Sequence, residues 1–175
     1  MLTLEDFESD MSWSPDTDQK PQKLETQIDG VEAKVLIRRQ DHRGNLCECL
    51  TTRDGDIAPI VHVYAVTAAP KSVRAWVYHK YQWDRLVYTQ GQFRVVLYDI
   101  RDNSPTYGKL DVLEVGLMMP TLLLIPPFVV HGVENYGERD ETFINMPTNV
   151  YYPGKPDKFR LAKDHPGIPY TFGRS

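Results

Sequence analysis

The chain has 175 residues, 20 basic and 24 acidic side chains, a net charge of −4 and 41% hydrophobic residues, enough to bury the core of one domain. No Lys/Arg cluster is dense enough for nucleic acid, and no apolar run approaches the roughly 20 residues that cross a bilayer. The acidic start Met1-Leu2-Thr3-Leu4-Glu5-Asp6 lacks the basic and apolar regions of a signal peptide, and Cys47 and Cys49 are too few for a disulfide framework, so a cytoplasmic protein is expected.

Residues 1–25 are polar and contain Pro, Asp and Ser, and read as a flexible arm, with a short helix near Leu2, Leu4 and Phe7. Residues 26–175 read as a single β domain. Val31–Arg38 is β-branched and partly alternating, as strands are. Asp41-His42-Arg43-Gly44-Asn45 is a turn, and Leu46–Thr52 resumes strand character. Further strands are predicted at Ile60–Val66, Val73–His79, Arg85–Thr89, Phe93–Asp99, Val112–Val115, Leu122–Ile125, Gly132–Asn135 and Thr142–Met146. Short strands separated by Gly, Pro, Asn or Asp indicate an all-β sandwich or barrel. Pro153–Ser175, rich in proline and glycine, is expected to wrap it. Cys47 and Cys49 would share one strand face as small buried residues.

Three stretches are distinctive, the first and third for their histidines and the second as a mark of fold without assigned chemistry. The first is Val73-Arg74-Ala75-Trp76-Val77-Tyr78-His79-Lys80-Tyr81-Gln82-Trp83-Asp84-Arg85. The second is Tyr98-Asp99-Ile100-Arg101-Asp102-Asn103 followed by Ser104-Pro105-Thr106-Tyr107-Gly108. The third is Ile125-Pro126-Pro127-Phe128-Val129-Val130-His131-Gly132. Together they resemble the dTDP-4-dehydrorhamnose 3,5-epimerase family of cupin-type, jelly-roll antiparallel β-barrels acting on nucleotide sugars. The resemblance spans about residues 28–172. Within it, Trp76, His79-Lys80, Gln82, Asp84 and the run Asn145-Met146-Pro147-Thr148 look like one epimerase-like subgroup.

In that family a catalytic histidine follows an Arg-Gly-Leu stretch. Here Arg74-Ala75-Trp76 is followed by Val77. His79 lies two residues on, on the same strand face, about 6–7 Å away, and is taken as the base. The resemblance implies Asp164 as its partner carboxylate and puts Asn145 at the position of the family's tyrosine acid. Tyr78, Tyr81, Tyr151 and Tyr152 are the candidate substitutes, and Tyr151 is also a substrate contact. Arg43-Gly44 with Glu48 matches a nucleotide-holding motif. Arg74 matches a diphosphate-binding arginine, and Arg85 replaces a lysine near the substrate. His131 is assigned to the catalytic cavity. By strand parity Arg74 and His79 face one cavity only if the strand is bulged.

The expected function is epimerisation or isomerisation by proton abstraction beside the ketone of a nucleotide-linked 4-keto-6-deoxy sugar, in polysaccharide or deoxysugar biosynthesis. Histidine suits such a step because its pKa lies near neutrality. No cofactor is expected, and a homodimer with exchanged N-terminal strands is implied by the resemblance. Two other readings remain open. With Val77 and Asn145 at altered positions, the protein could be an inactive nucleotide-sugar binder. It also carries the remnant of a metal-cupin signature in His79, Asp84 and His131, two histidines and a carboxylate. That set requires a turn at Gln82-Trp83-Asp84 to direct Asp84 inward.

Overall fold

The computed structural model describes residues 2–9, 21–55 and 57–173. Among them lie two short 3-10 helices, Leu4–Asp6 and Thr52–Asp54, and no α-helix. The strands are β1 (Gln22–Leu24), β2 (Glu32–Val35), β3 (Arg38–Asp41), β4 (Gly44–Cys47), β5 (Tyr64–Ala68), β6 (Val73–Tyr78), β7 (Asp84–Tyr88), β8 (Gln92–Asp99), β9 (Leu110–Gly116), β10 (Thr121–Ile125), β11 (Val129–Asn135), β12 (Glu141–Asn145) and β13 (Phe159–Arg160). They form a six-stranded sheet in the order β1-β2-β10-β7-β12-β5, a five-stranded sheet β13-β6-β11-β8-β9, and the hairpin β3-β4. Every pairing is antiparallel.

The two large sheets close over a common interior because their strands alternate. On β7, Leu86 and Tyr88 point inward while Val87 points outward. On β8, Phe93, Val95 and Leu97 point inward while Val96 points outward. Tyr88, Phe93 and Phe143 pack with ring centroids 5.0–5.6 Å apart, contacts worth about 0.5–1.5 kcal/mol each beyond their burial. The outward residues are covered separately. Trp76 and Val96 lie under Ile168 and Phe172 of the C-terminal segment, and Val87 and Leu122 pack with Leu36 and Met146. Cys47 and Cys49, free and half-buried, border the second of these clusters.

Several boundaries differ from the sequence reading. Val31–Arg38 is split between β2 and the start of β3, and of Leu46–Thr52 only Leu46 and Cys47 pair, on β4, so Cys49 lies off the strand. Gln22–Leu24, placed in the arm, is a strand because it finds the open edge of β2. Residues 10–20 of the arm lie outside the described residues. Ile60–Val63 is not a strand, although its composition is β-branched, and pairing with β12 begins only at Tyr64. Within the wrapping segment, Phe159 and Arg160 add a short strand opposite Tyr78 and Val77.

The Ser104–Gly108 turn is fixed by Asp99. Its carboxylate accepts from Arg101 Nε and Nη2 (both 2.8 Å), Ser104 Oγ (2.6 Å), Thr106 Oγ1 (2.7 Å) and the Arg101 backbone N–H (3.0 Å). Burial works against the charge of Asp99. The hydrogen bonds outweigh it and hold the group well below the usual carboxylate range.

Candidate active site

At one end of the barrel the inward rows turn from apolar to polar. On β7 the inward row Tyr88, Leu86 ends in Asp84. On β12 Phe143 is followed by Asn145, on β5 Ala68 and Val66 by Tyr64, and on β11 Val133 by His131. These polar ends are adjacent because the register sets Asn145 beside both Tyr64 and Leu86. They line a cavity of about 340 Å³ together with Arg74, Val77, His79, Lys158 and Arg160.

A bulge brings β6 into this cavity. Val133 pairs with Arg74 and His131 with Val77, so two steps on β11 face three on β6. The extra residue puts Arg74 and Val77 on the same side, resolving the parity conflict. Gly132 sits opposite the bulge, where a Cβ would stand 2.7 Å from the Ala75 Cβ and 2.8 Å from the Phe172 ring. Strand β6 then ends at Tyr78, and residues 80–83 turn the chain back into β7. The Asp157 carboxylate holds that turn by accepting from the backbone N–H groups of Lys80, Tyr81 and Gln82 at 2.8, 2.9 and 3.0 Å. The turn carries Asp84 inward, under His79.

The centre is a buried triad. Asp84 is 3% exposed, and His79 and His131 are each 8% exposed. Asp84 Oδ2 lies 3.3 Å from His79 Nε2 and 3.3 Å from His131 Nε2. Its Oδ1 accepts from Gln82 Nε2 (2.8 Å) and Asn145 Nδ2 (3.0 Å). The two imidazole rings stack at 5.9 Å. His79 Nδ1 meets the Asp157 carbonyl, and His131 Nδ1 meets the Val129 carbonyl at 3.2 Å. A carbonyl oxygen only accepts, so each Nδ1 carries a hydrogen and each Nε2 is the exchangeable position.

The electrostatics are mutual. Burial alone would raise Asp84 and lower His79. The two imidazoles nevertheless hold Asp84 far below the carboxylate range, and Asp84 with the Asp157 carbonyl raises His79. Tyr64 is pushed up by burial and by the charge of Asp84, so its phenol stays protonated at neutral pH. Its hydroxyl accepts from Asn145 Nδ2 at 2.9 Å. At the rim, partial burial and then Arg160 pull the Lys158 ammonium down.

The structure redistributes the residues expected from sequence. His79, His131, Arg74 and Asn145 share the cavity, with Asp84 among them. Asp164 does not line it and is exposed; the carboxylate at His79 is Asp84. By that point the chain has crossed to the outer side of β6, where Leu161 exchanges backbone hydrogen bonds with Trp76 and the Lys163 carbonyl accepts from the Trp76 indole. Arg85 has the opposite parity to Asp84 and points to the other sheet face. Its guanidinium donates to the carbonyls of Met146, Ala58 and Pro59 at 2.8–3.0 Å. Glu48 lies by Arg85 along a second cavity of about 280 Å³ and is paired with Arg53. Arg43 is exposed on the β3-β4 hairpin, bound to Asp41.

Of the tyrosine substitutes, Tyr78 stacks on Phe159 away from the cavity, and Tyr81 and Tyr152 are exposed. Tyr151 stands at the mouth, beside a smaller space shared with His62, Tyr64, His79 and Lys158. Sequence reasoning missed Tyr64, Lys158, Arg160 and Asp157. Tyr64 was legible, because it alternates with Val66 and Ala68. Lys158 and Arg160 left no signal, since they depend on the short pairing of β13.

Residues 25–174 match the family model described as dTDP-4-dehydrorhamnose 3,5-epimerase. The chain belongs to this family. It is 34% identical over 145 residues to the spore coat polysaccharide biosynthesis protein SpsL of Bacillus subtilis, covering 83% of this chain and 96% of that protein. It is 36% identical over 140 residues to the probable low-salt glycan biosynthesis epimerase Agl13 of Haloferax volcanii, covering 78% and 89%. The crystal structure of a dTDP sugar isomerase from Desulfovibrio desulfuricans superposes with a TM-score of 0.78 at 26% identity, covering 85% of this chain and 94% of that one. The fold is therefore the expected cupin-type jelly roll, and the protein is a sugar epimerase or isomerase of this family. No helix among the described residues is long and apolar enough to cross a membrane.

Proposed function

We propose that the protein abstracts a proton from the carbon beside the ketone of a nucleotide-linked 4-keto-6-deoxy sugar. The observation that carries this reading is the His79–Asp84–His131 cluster, buried at the end of a cavity that also holds three cations and a protonated phenol. Arg74, Lys158 and Arg160 suit a diphosphate, which favours planar and clustered cations. A 3'-monoepimerase from Streptomyces bikiniensis with the same fold (TM-score 0.74, 18% identity, 83% of this chain and 76% of that one) binds dTDP-quinovose, which supports the substrate class.

His79 Nε2 takes the proton. The C–H electron pair moves into the ring and the charge settles on the ketone oxygen. Asp84 stabilises the imidazolium so formed. Tyr64, kept protonated by its surroundings, returns a proton to the opposite face and is refilled from solvent, to which His79 gives up the proton it took. Asn145 orients the Tyr64 hydroxyl. The reading needs no cofactor. Two unpaired cysteines suit a reducing compartment, and we place the enzyme in the cytoplasm. We also propose a homodimer, in which Arg43, outside the cavity of its own chain and exposed on the β3-β4 hairpin, serves the cavity of a second copy.

The test is incubation of a dTDP-linked 4-keto-6-deoxy sugar in deuterated water, followed by proton NMR. Deuterium is expected at a carbon flanking the ketone, and none in the corresponding 4-hydroxy sugar. Binding of the keto sugar without exchange would refute the reading and favour a binder, the outcome suggested by Val77 at the position of the family's base.

A further inference from the structure

Three acceptors converge at the centre of the cavity. With hydrogens fixed on both Nδ1 atoms by the Asp157 and Val129 carbonyls, neutral His79 and His131 aim their Nε2 lone pairs at Asp84 Oδ2. In that form all three atoms are acceptors, a set that protons or one metal ion can bind. Protons on Nε2 are one solution, but a charge-assisted N–H···O bond closes to about 2.7–2.9 Å, and both contacts are 3.3 Å. Two atoms bound at about 2.0–2.1 Å to one tetrahedral ion stand about 3.3–3.4 Å apart. One nitrogen from each ring and one carboxylate oxygen lie within 4.8 Å of one another.

The surroundings have the form of a metal ligand's outer contacts. Each ring gives its far N–H to a carbonyl, and the carboxylate's other oxygen is held by two amides, Gln82 and Asn145. The Asn145 Oδ1 is buried without a hydrogen-bond partner. The cavity leaves the fourth side open to water or a ligand oxygen.

We infer that His79 Nε2, His131 Nε2 and Asp84 Oδ2 form a binding site for one divalent transition-metal ion, of the class that two imidazoles and a carboxylate select (zinc, ferrous iron, cobalt). The ion takes the Nε2 lone pairs, so it competes with protons for the imidazoles. An ion bound there occupies the Nε2 that the proposed proton transfer uses. The inference rests on the same three residues as that reading and is tested separately from it. Val77, paired with His131 and lining the same cavity, is the position where a fourth ligand could be added.

The experiment is titration of the metal-free chain with Co²⁺, read by its visible absorption and by calorimetry. One equivalent per chain with the intense bands of a four-coordinate site is expected. Affinity should fall more than about 100-fold in His131→Gln and Asp84→Asn, stay unchanged in His62→Ala at the cavity mouth, and rise in Val77→His. Absence of binding by the folded wild type, or equal binding by wild type and Asp84→Asn, overturns the site. Deuterium exchange measured on the same samples separates the two statements. Exchange that runs in the metal-free enzyme and stops on loading supports both. Exchange that requires the ion supports the site and removes His79 as the free base.

Discussion

Asp84 and Asp99 are both buried carboxylates, 3% and 0% exposed, and both stay ionised against the cost of burial. They differ in what neutralises them. Asp99 faces the guanidinium of Arg101, a cation that never gives up its proton, and five donors saturate it. Asp84 faces two imidazoles, groups that can be neutral or charged, at contacts longer than a tight ion pair. The first arrangement fastens a turn, while the second stores a movable positive charge at the end of a cavity. A buried carboxylate is therefore not by itself a sign of catalysis, and the acidity of its partners decides which role it serves.

One substitution made at both positions would break this comparison. Asp99→Asn puts an amide N–H₂ among donors and leaves Arg101 without its counter-charge. It should cost about 3 kcal/mol in urea unfolding while the exchange rate per folded molecule is unchanged. Asp84→Asn should behave in the opposite way. Its new N–H₂ can donate to both neutral Nε2 atoms, so stability should stay within about 1 kcal/mol. Loss of the charge that supports the imidazolium should lower exchange about 100-fold. Equal stability losses in the two variants would show that Asp84 is also only a fastening.

Smaller effects sharpen the picture at the cavity rim. Arg74→Ala should raise the Kd for dTDP about tenfold by calorimetry, the loss of one charged hydrogen bond. Arg85→Ala should not weaken dTDP binding through lost charge, because that guanidinium serves the carbonyls of Ala58, Pro59 and Met146. The acid limb of stability should be the mildest signal. The folded-state pKa of Asp99 is depressed, so its contribution is present above the unfolded value of about 3.9 and is lost as pH falls below it. Thermal unfolding from pH 6 downward should show a shallower decline in Asp99→Asn than in the wild type.

Most of the barrel was legible because alternation and turn residues are local signals. The run Phe93–Asp99 emerged as β8, and Leu122–Ile125 as β10, within two residues. The short strands β1 and β13 were not, since polar segments of three and two residues become strands only where a neighbouring edge is open. In the site, His79 and His131 followed from the strand pattern and the family resemblance together. The carboxylate was reached only in part. Asp164 was chosen as the partner of His79 by its place in a motif, and Asp84 entered only through the metal signature, which required the turn that Asp157, more than seventy residues away, holds in place. Arg74 and Arg85 show the same limit. A bulge turns one into the cavity, and regular alternation turns the other out.

The most direct measurement is solvent deuterium incorporation beside the sugar ketone by wild type and His79→Ala, with dTDP binding measured on both. The wild type should exchange, and His79→Ala should bind dTDP with similar affinity yet exchange about 1,000-fold more slowly. Exchange that survives intact in His79→Ala would contradict the account, because His79 would then not be the base.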